Sequence, residues 1–206
     1  INMSLGGYES YGSPTWLAVK RATEQGILVV CAAGNEGNEG TNSNIMLNSM
    51  SINDPANAIF SIAVGAVSPY YDAIEEYTSI GPTIFMAVKP EISAPSSVYV
   101  LDYTGGYTSQ AWRGTSFSTP HVSGALALVL DYLRSKGLSK VSCRDVSRVL
   151  LMYTASPLYE IRDKEKIMYE DLAVGAGVVN LTRAFEVLNS SSINTTNYPQ
   201  MMLSLI

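Results

Sequence analysis

Arg113 to Gly124 reads RGTSFSTPHVSG. Small residues surround Ser116, then come Pro120 and His121, the chain's only histidine. An apolar run follows, and Gly137 punctuates its end. A proline ahead of a stretch that is apolar nearly all round describes the start of a buried helix, read here as about Thr119 to Lys136. Gly124 and Ala125 would let that helix approach a sheet closely. A serine at such a helix start lies among free N–H groups at the positive end of the dipole, where a developing oxyanion is stabilised. The same position equally suits an ordinary N-cap.

His121 invites a reading as the base for Ser116, and geometry opposes it. Five residues along a helix is a rotation of about 140°, to the far side. A general base must come within about 3 Å of the hydroxyl it deprotonates. His121 is therefore expected to hydrogen-bond within the core. The stretch is also not a G-x-S-x-G elbow, because Ser118 stands where the second glycine belongs.

Outward from this stretch, the chain reads as α/β. Ser13-Pro14 opens an amphipathic helix that Gly26 stops. Ile27–Ala33 and Ile59–Val67 are short, apolar on both faces and rich in β-branched residues, as strands covered on both sides are. Together they predict a three-layer α/β fold with a mainly parallel sheet flanked by helices. Asp72–Leu101 reads as mixed, with loops at Gly81-Pro82 and Ala94-Pro95. Ser142 and Asp145 resemble a capping box for a helix to about Met152, and Asn180–Leu188 is a last helix. Residues 1–188 form one unit, and 189–206 a polar linker or tail with sequons at Asn189 and Asn194.

Composition narrows the function. The 206 residues are 47% hydrophobic and 15% charged, which suits a packed domain. Eighteen acids against 13 Lys and Arg give a net charge of −5 without a basic run, which argues against nucleic acid as partner. No apolar run approaches the roughly 20 residues of a membrane span. Cys31 and Cys143 make no disulfide framework and read as buried thiols, and no metal-ligand spacing is present. GNEGNEG (Gly34–Gly40) lacks the glycine pattern and lysine of a phosphate loop. Asn35 sits just past the carboxyl end of an apolar strand, where ligands bind in open α/β sheets. It is either a donor to an oxyanion or a turn asparagine.

These motifs resemble those of the subtilisin-like serine peptidases. GTSFSTPHVSG (Gly114–Gly124) resembles the family's nucleophile motif and AAGNEG (Ala32–Gly37) its oxyanion-asparagine motif. NMSLGG (Asn2–Gly7) resembles the strand and turn lining the pocket for the P1 side chain, the residue before the scissile bond. AVGAV (Ala63–Val67), YTSIGP (Tyr77–Pro82), KPEISAP (Lys89–Pro95) and GAGVVN (Gly175–Asn180) follow in the family's order.

The resemblance implies serine endopeptidase action through an acyl-enzyme, with Ser116 as nucleophile and Asn35 as side-chain oxyanion donor. The Ser116 N–H would be the second donor. Ser4, Leu5 and Gly6 would form one wall of the S1 pocket, and Ala32, Ala33 and Gly34 the other. Glu36 is placed at the pocket rim, where it would tolerate a basic P1 residue. His121 belongs to the nucleophile motif and is not the family's catalytic base.

The family's Asp-Ser/Thr-Gly and His-Gly-Thr motifs are absent from the sequence. The chain therefore reads as the carboxyl-terminal part of a catalytic domain, missing its amino-terminal strands, with the amino-terminal half as an expected partner. A serine without a base is a poor nucleophile, so the chain alone is expected to be nearly inactive. The alternative is an inactive remnant or peptide-binding module of the same fold. The resemblance requires no cofactor for the chemistry. It allows structural calcium without assigning a site, with Asp54 and Asp72 read as loop carboxylates. It also implies an extracellular or cell-envelope location.

Overall fold

The computed structural model describes residues 1–8, 12–37, 50–70, 73–162, 165–168 and 171–190. Four parallel strands lie in the order β1-β2-β3-β4: β1 (Asn2–Met3), β2 (Val30–Ala32), β3 (Ile62–Val67) and β4 (Ile92–Pro95). Alternation along the strands divides the core. Val30, Ile62, Val64, Ile92 and Ala94 face one layer, and Val29, Cys31, Ala33 and Ala63 the other. On the second face lies helix α1 (Pro14–Glu24), with Trp16 and Val19 buried against the sheet. On the first face lie α2 (Thr115–Ser135), α3 (Lys140–Tyr153) and α5 (Leu181–Ser190). A β5–β6 hairpin (Tyr159–Arg162, Glu165–Met168) and the short α4 (Asp171–Val174) complete the described elements. This is the three-layer parallel α/β fold the apolar strands predict.

Helix α1 starts as read, with Ser13 accepting from the Trp16 N–H and Pro14 at the first helical position. Elsewhere the boundaries move. α2 begins at Thr115, four residues earlier than the proline suggests, so Pro120 lies inside it. Ile92–Pro95 is a strand, not a loop. It is only four residues long, and Pro95 ends it where a missing N–H costs no ladder bond. The cap of α3 is Ser139, whose hydroxyl accepts from the Ser142 N–H, rather than Ser142 itself. Gly124 meets nothing that would exclude a side chain, so the close helix–sheet approach does not depend on it. Helix α5 runs two residues past 188, and the tail from 191 lies outside the described residues, as does Asp72.

A buried ionic cluster ties the layers together. Lys89, 1% exposed, places Nζ 2.6 Å from Glu91 Oε1 and donates to the Ser61 carbonyl at 2.8 Å. Glu91 Oε2 accepts the Ala63 N–H from β3 at 2.8 Å, and Arg148 of α3 reaches Glu91 Oε1 at 2.7 Å. Burial pulls the Lys89 ammonium below its ordinary range, and Glu91 opposes that pull. Removing one partner leaves a buried charge, so Glu91→Gln is expected to cost about 3–5 kcal/mol in urea unfolding. A loss under 1 kcal/mol would show that the cluster does not hold the strands.

Cys31, in the strand above, makes a second prediction. Burial pushes its thiol from 9.0 up to about 12. Between those pH values the unfolded chain releases a proton that the folded chain keeps. The contribution of the neutral thiol is complete below pH 9 and is lost as pH rises towards 12. At 1.36 kcal/mol per unit the total is about 4 kcal/mol. Urea melts at pH 8 and 11 should therefore show wild type losing more stability than Cys31→Ala, and equal losses would refute the assignment.

Candidate active site

The turn before α2 cannot cap its own helix. Its N-cap is Gly114, held at φ 138°, with no side chain to accept the first-turn N–H groups. The acceptor comes from 80 residues away: Asn35 Oδ1 takes the Thr115 N–H at 2.9 Å, and Thr115 Oγ1 lies 3.1 Å from the same oxygen. A backbone N–H can only donate, so the oxygen of the carboxamide must face Thr115. Asn35 Nδ2 is therefore turned away from Thr115. Among the described residues it has no acceptor, and neither does the Ser116 N–H.

Asn35 stands there because β2 ends at Ala32 and the chain turns through Gly34 at φ 118°. A Cβ on Gly34 would meet Glu36 Oε2 at 2.4 Å, Ser79 Oγ at 2.5 Å and Asn53 Nδ2 at 2.8 Å. Thr115 Oγ1 lies 3.3 Å from both the N and the O of Gly34, clamping this turn to the helix start. The site thus sits at the carboxyl end of β2, with the positive end of α2 pointing at it.

Ser116 is the second residue of α2 and half-buried. Pro120 has no N–H, so the Ser116 carbonyl lacks its donor four residues on. Ser4 Oγ supplies one at 2.8 Å, and Ser116 Oγ in return donates to the Ser4 carbonyl at 3.3 Å. A proline that removes a helical hydrogen bond thereby fastens the β1 segment to the candidate nucleophile. His121 is exposed, with Nδ1 2.8 Å from the Phe117 carbonyl of its own helix. It is not at Ser116, as expected, but it lies on the surface rather than in the core, because that face of α2 points outward.

The two proposed walls meet across a residue the motif reading passed over. A Cβ on Gly6 would meet Asn53 Cβ at 3.0 Å, and Asn53 also crowds Gly34. Asn53 is buried and its N–H donates to the Ala33 carbonyl at 2.9 Å. Ser4, Gly6, Ala33 and Gly34 are thus brought to one place, with Ala32 at the end of β2 and Leu5 exposed beside them. Glu36 lies next to Gly34, its Oε2 accepting from Ser79 Oγ at 2.9 Å. Asp54 is buried rather than solvated: it accepts from Ser13 Oγ at 3.0 Å and from Thr15 Oγ1. Among the described residues no three His, Cys, Asp or Glu side chains group to hold a metal ion. No helix among them is long and apolar enough to cross a membrane.

The sequence profile of the subtilase family matches residues 1–179. Subtilisin amylosacchariticus of Bacillus subtilis subsp. amylosacchariticus is 38% identical over 131 residues, covering 64% of this chain and 30% of that protein. Pyrolysin of Pyrococcus furiosus is 31% identical over 97% of this chain and 16% of its own length. The patellamide maturation protease PatA superposes with a TM-score of 0.69 at 26% identity, over 93% of this chain and 63% of PatA. The prenylagaramide maturation protease PagA does so with 0.67 at 26%, over 90% and 60%. The chain thus spans under a third of the length of these curated relatives.

The capping geometry separates two roles of Asn35. Asn35→Ala removes the acceptor and is expected to lower stability by about 1 kcal/mol, whereas Asn35→Asp keeps it and should stay within about 0.5 kcal/mol of wild type. Thermal or urea melts of both variants check this, and equal losses would sink the capping role.

Proposed function

The chain belongs to the subtilase family, and from that premise we propose that it forms the nucleophile-bearing part of a serine endopeptidase. The observation that carries the reading is the cap of α2 by Asn35. It turns Asn35 Nδ2 away from Thr115, and neither that group nor the N–H of the neighbouring Ser116 has an acceptor among the described residues. Such a pair is what a tetrahedral oxyanion needs. Ser116 Oγ adds to the scissile carbonyl carbon and its proton passes to a base. The C–N bond then breaks, the amine leaves with that proton, and water hydrolyses the acyl-enzyme. Substrate lies along Ser4–Gly6, and its P1 side chain enters between that segment and Ala32–Gly34, with Asn53 as a polar floor.

The base comes from outside these 206 residues. The one histidine is turned to solvent on α2. The surfaces an adjoining segment would cover are present. β1 ends the sheet with no outer partner among the described strands. A groove of about 430 Å³ opens beside it, lined by Ile1, Leu28 and Leu126 together with polar Asn2, Ser123 and Arg134. The partners are then a polypeptide substrate and the segment bearing the Asp and His motifs. A location outside the cytoplasm fits the family and the two sequons.

Fluorophosphonate labelling tests the reading. In the full-length gene product Ser116 should be labelled and Ser116→Ala should not. The 206-residue chain alone should react at least about 10³-fold more slowly, since loss of the triad histidine in subtilisin itself costs about 10⁶ in kcat. Labelling of the chain alone at the full rate would overturn the external base. Absence of peptidase activity in the gene product would overturn the peptidase reading in favour of a peptide-binding module. Asn35→Ala and Asn35→Asp should both lower kcat by roughly 10²–10³, the loss known for the side-chain donor of subtilisin.

A further inference from the structure

Tyr77 touches both segments that carry the free donors. Its backbone carbonyl accepts the Gly37 N–H at 2.9 Å, just beyond Asn35. Its hydroxyl accepts the Gly114 N–H at 3.0 Å, at the turn that opens α2. One residue therefore reaches the Asn35 loop through its backbone and the helix start through its hydroxyl, and no other described hydrogen bond holds the Gly114 N–H.

The rest of Tyr77 is fixed from three sides. The same hydroxyl also hydrogen-bonds Ser96 Oγ, with either oxygen able to donate. Ser96 is fully buried one residue past β4, and its N–H donates to the Val67 carbonyl at 3.1 Å. The hydroxyl thus joins the active-site turn to the end of the sheet. The Arg113 guanidinium lies over the ring, 5.5 Å from its centroid, and pairs with Glu75. Glu75 is buried and accepts from Ser97 Oγ at 3.0 Å through its other oxygen. Burial raises the Tyr77 phenol above its usual range, which keeps it neutral.

Gly114 makes the strut necessary. A Cβ there would meet nothing closer than 3.6 Å, so space does not require glycine; the φ of 138° does. Glycine has no side chain to hold that conformation; its carbonyl accepts the Phe117 N–H within the helix start at 2.9 Å, and its N–H is left for the rest of the fold to grip. We infer that Tyr77 is a positioning residue: it holds the Gly114 peptide and the Asn35 loop in register, so that the Ser116 N–H and Asn35 Nδ2 face the same reacting carbonyl. Its structural half rests on these contacts alone, and its catalytic half rests on the peptidase reading above.

Tyr77→Phe removes one oxygen and leaves the ring under Arg113. In the ¹⁵N-labelled 206-residue chain, the Gly114 amide should exchange with solvent about tenfold faster and the Asn35 side-chain NH₂ resonances should move. The amides of Val64 and Ile92 should not change, which separates the effect from general unfolding. Ser96→Ala, which cuts the far end of the bridge, should give the same changes at smaller size. In the full-length gene product, Tyr77→Phe should lower kcat about tenfold and alter KM less than twofold. Unchanged Gly114 and Asn35 signals would overturn the inference, and so would changed signals with an unchanged kcat. If the gene product has no peptidase activity, the proposed function fails and the amide measurements alone decide the role of Tyr77.

Discussion

The hydrogen bond from the Thr115 N–H to Asn35 Oδ1 is the constraint on which the site depends. Helices usually satisfy their first N–H groups with a side chain at the N-cap. Here the cap is a glycine, and the acceptor is borrowed from the turn after a strand of the sheet. Together with the contacts of Thr115 Oγ1 to Gly34, that bond holds the start of α2 at the carboxyl end of β2. It also fixes which way the Asn35 carboxamide points, since an amide oxygen is required on the helix side. The chemistry and the packing therefore share an atom pair, and the site cannot loosen without the helix start loosening too.

Around that bond the fold compensates each local defect with a distant group. Pro120 removes a donor, and Ser4 from the β1 segment replaces it. Gly114 leaves its peptide without side-chain support, and Tyr77 grips it. Gly34 takes a left-handed conformation; Ser79 and Asn53 pack where a side chain would stand, and Thr115 Oγ1 holds its backbone. Behind the strands, Lys89 and Glu91 bury a charge pair that joins β3 to α3 through Arg148. Each correction reaches tens of residues along the chain, so the pieces are held to one geometry by long-range contacts rather than local propensity.

Much of this was legible before any coordinates. The apolar strands Ile27–Ala33 and Ile59–Val67 disclose a parallel sheet because both faces must be covered, and the three layers follow. The family motifs place Ser116 and Asn35 together, and helical rotation alone removes His121 from the role of base. Pro120 misleads, since a proline is easily read as a helix start. It sits inside α2 because Ser4 satisfies the carbonyl it orphans. β4 is hidden for a related reason: a four-residue edge strand ending in proline carries almost no period.

The amino-acid sequence by itself determined the fold class, the longer helices, the two apolar strands and the family motifs. Those follow from period, punctuation and short motifs, which are local properties of the chain. Only the tertiary structure decided that Asn35 caps α2, that Ser4 replaces the bond lost at Pro120, that Asn53 lies against Gly6 and Gly34, and that Tyr77 bonds Gly37 and Gly114. Hydrogen bonds between residues 37 to 112 positions apart leave no periodic trace in sequence. They exist only once the sheet has set its strands side by side and brought β1, the Asn35 turn and the start of α2 to one end.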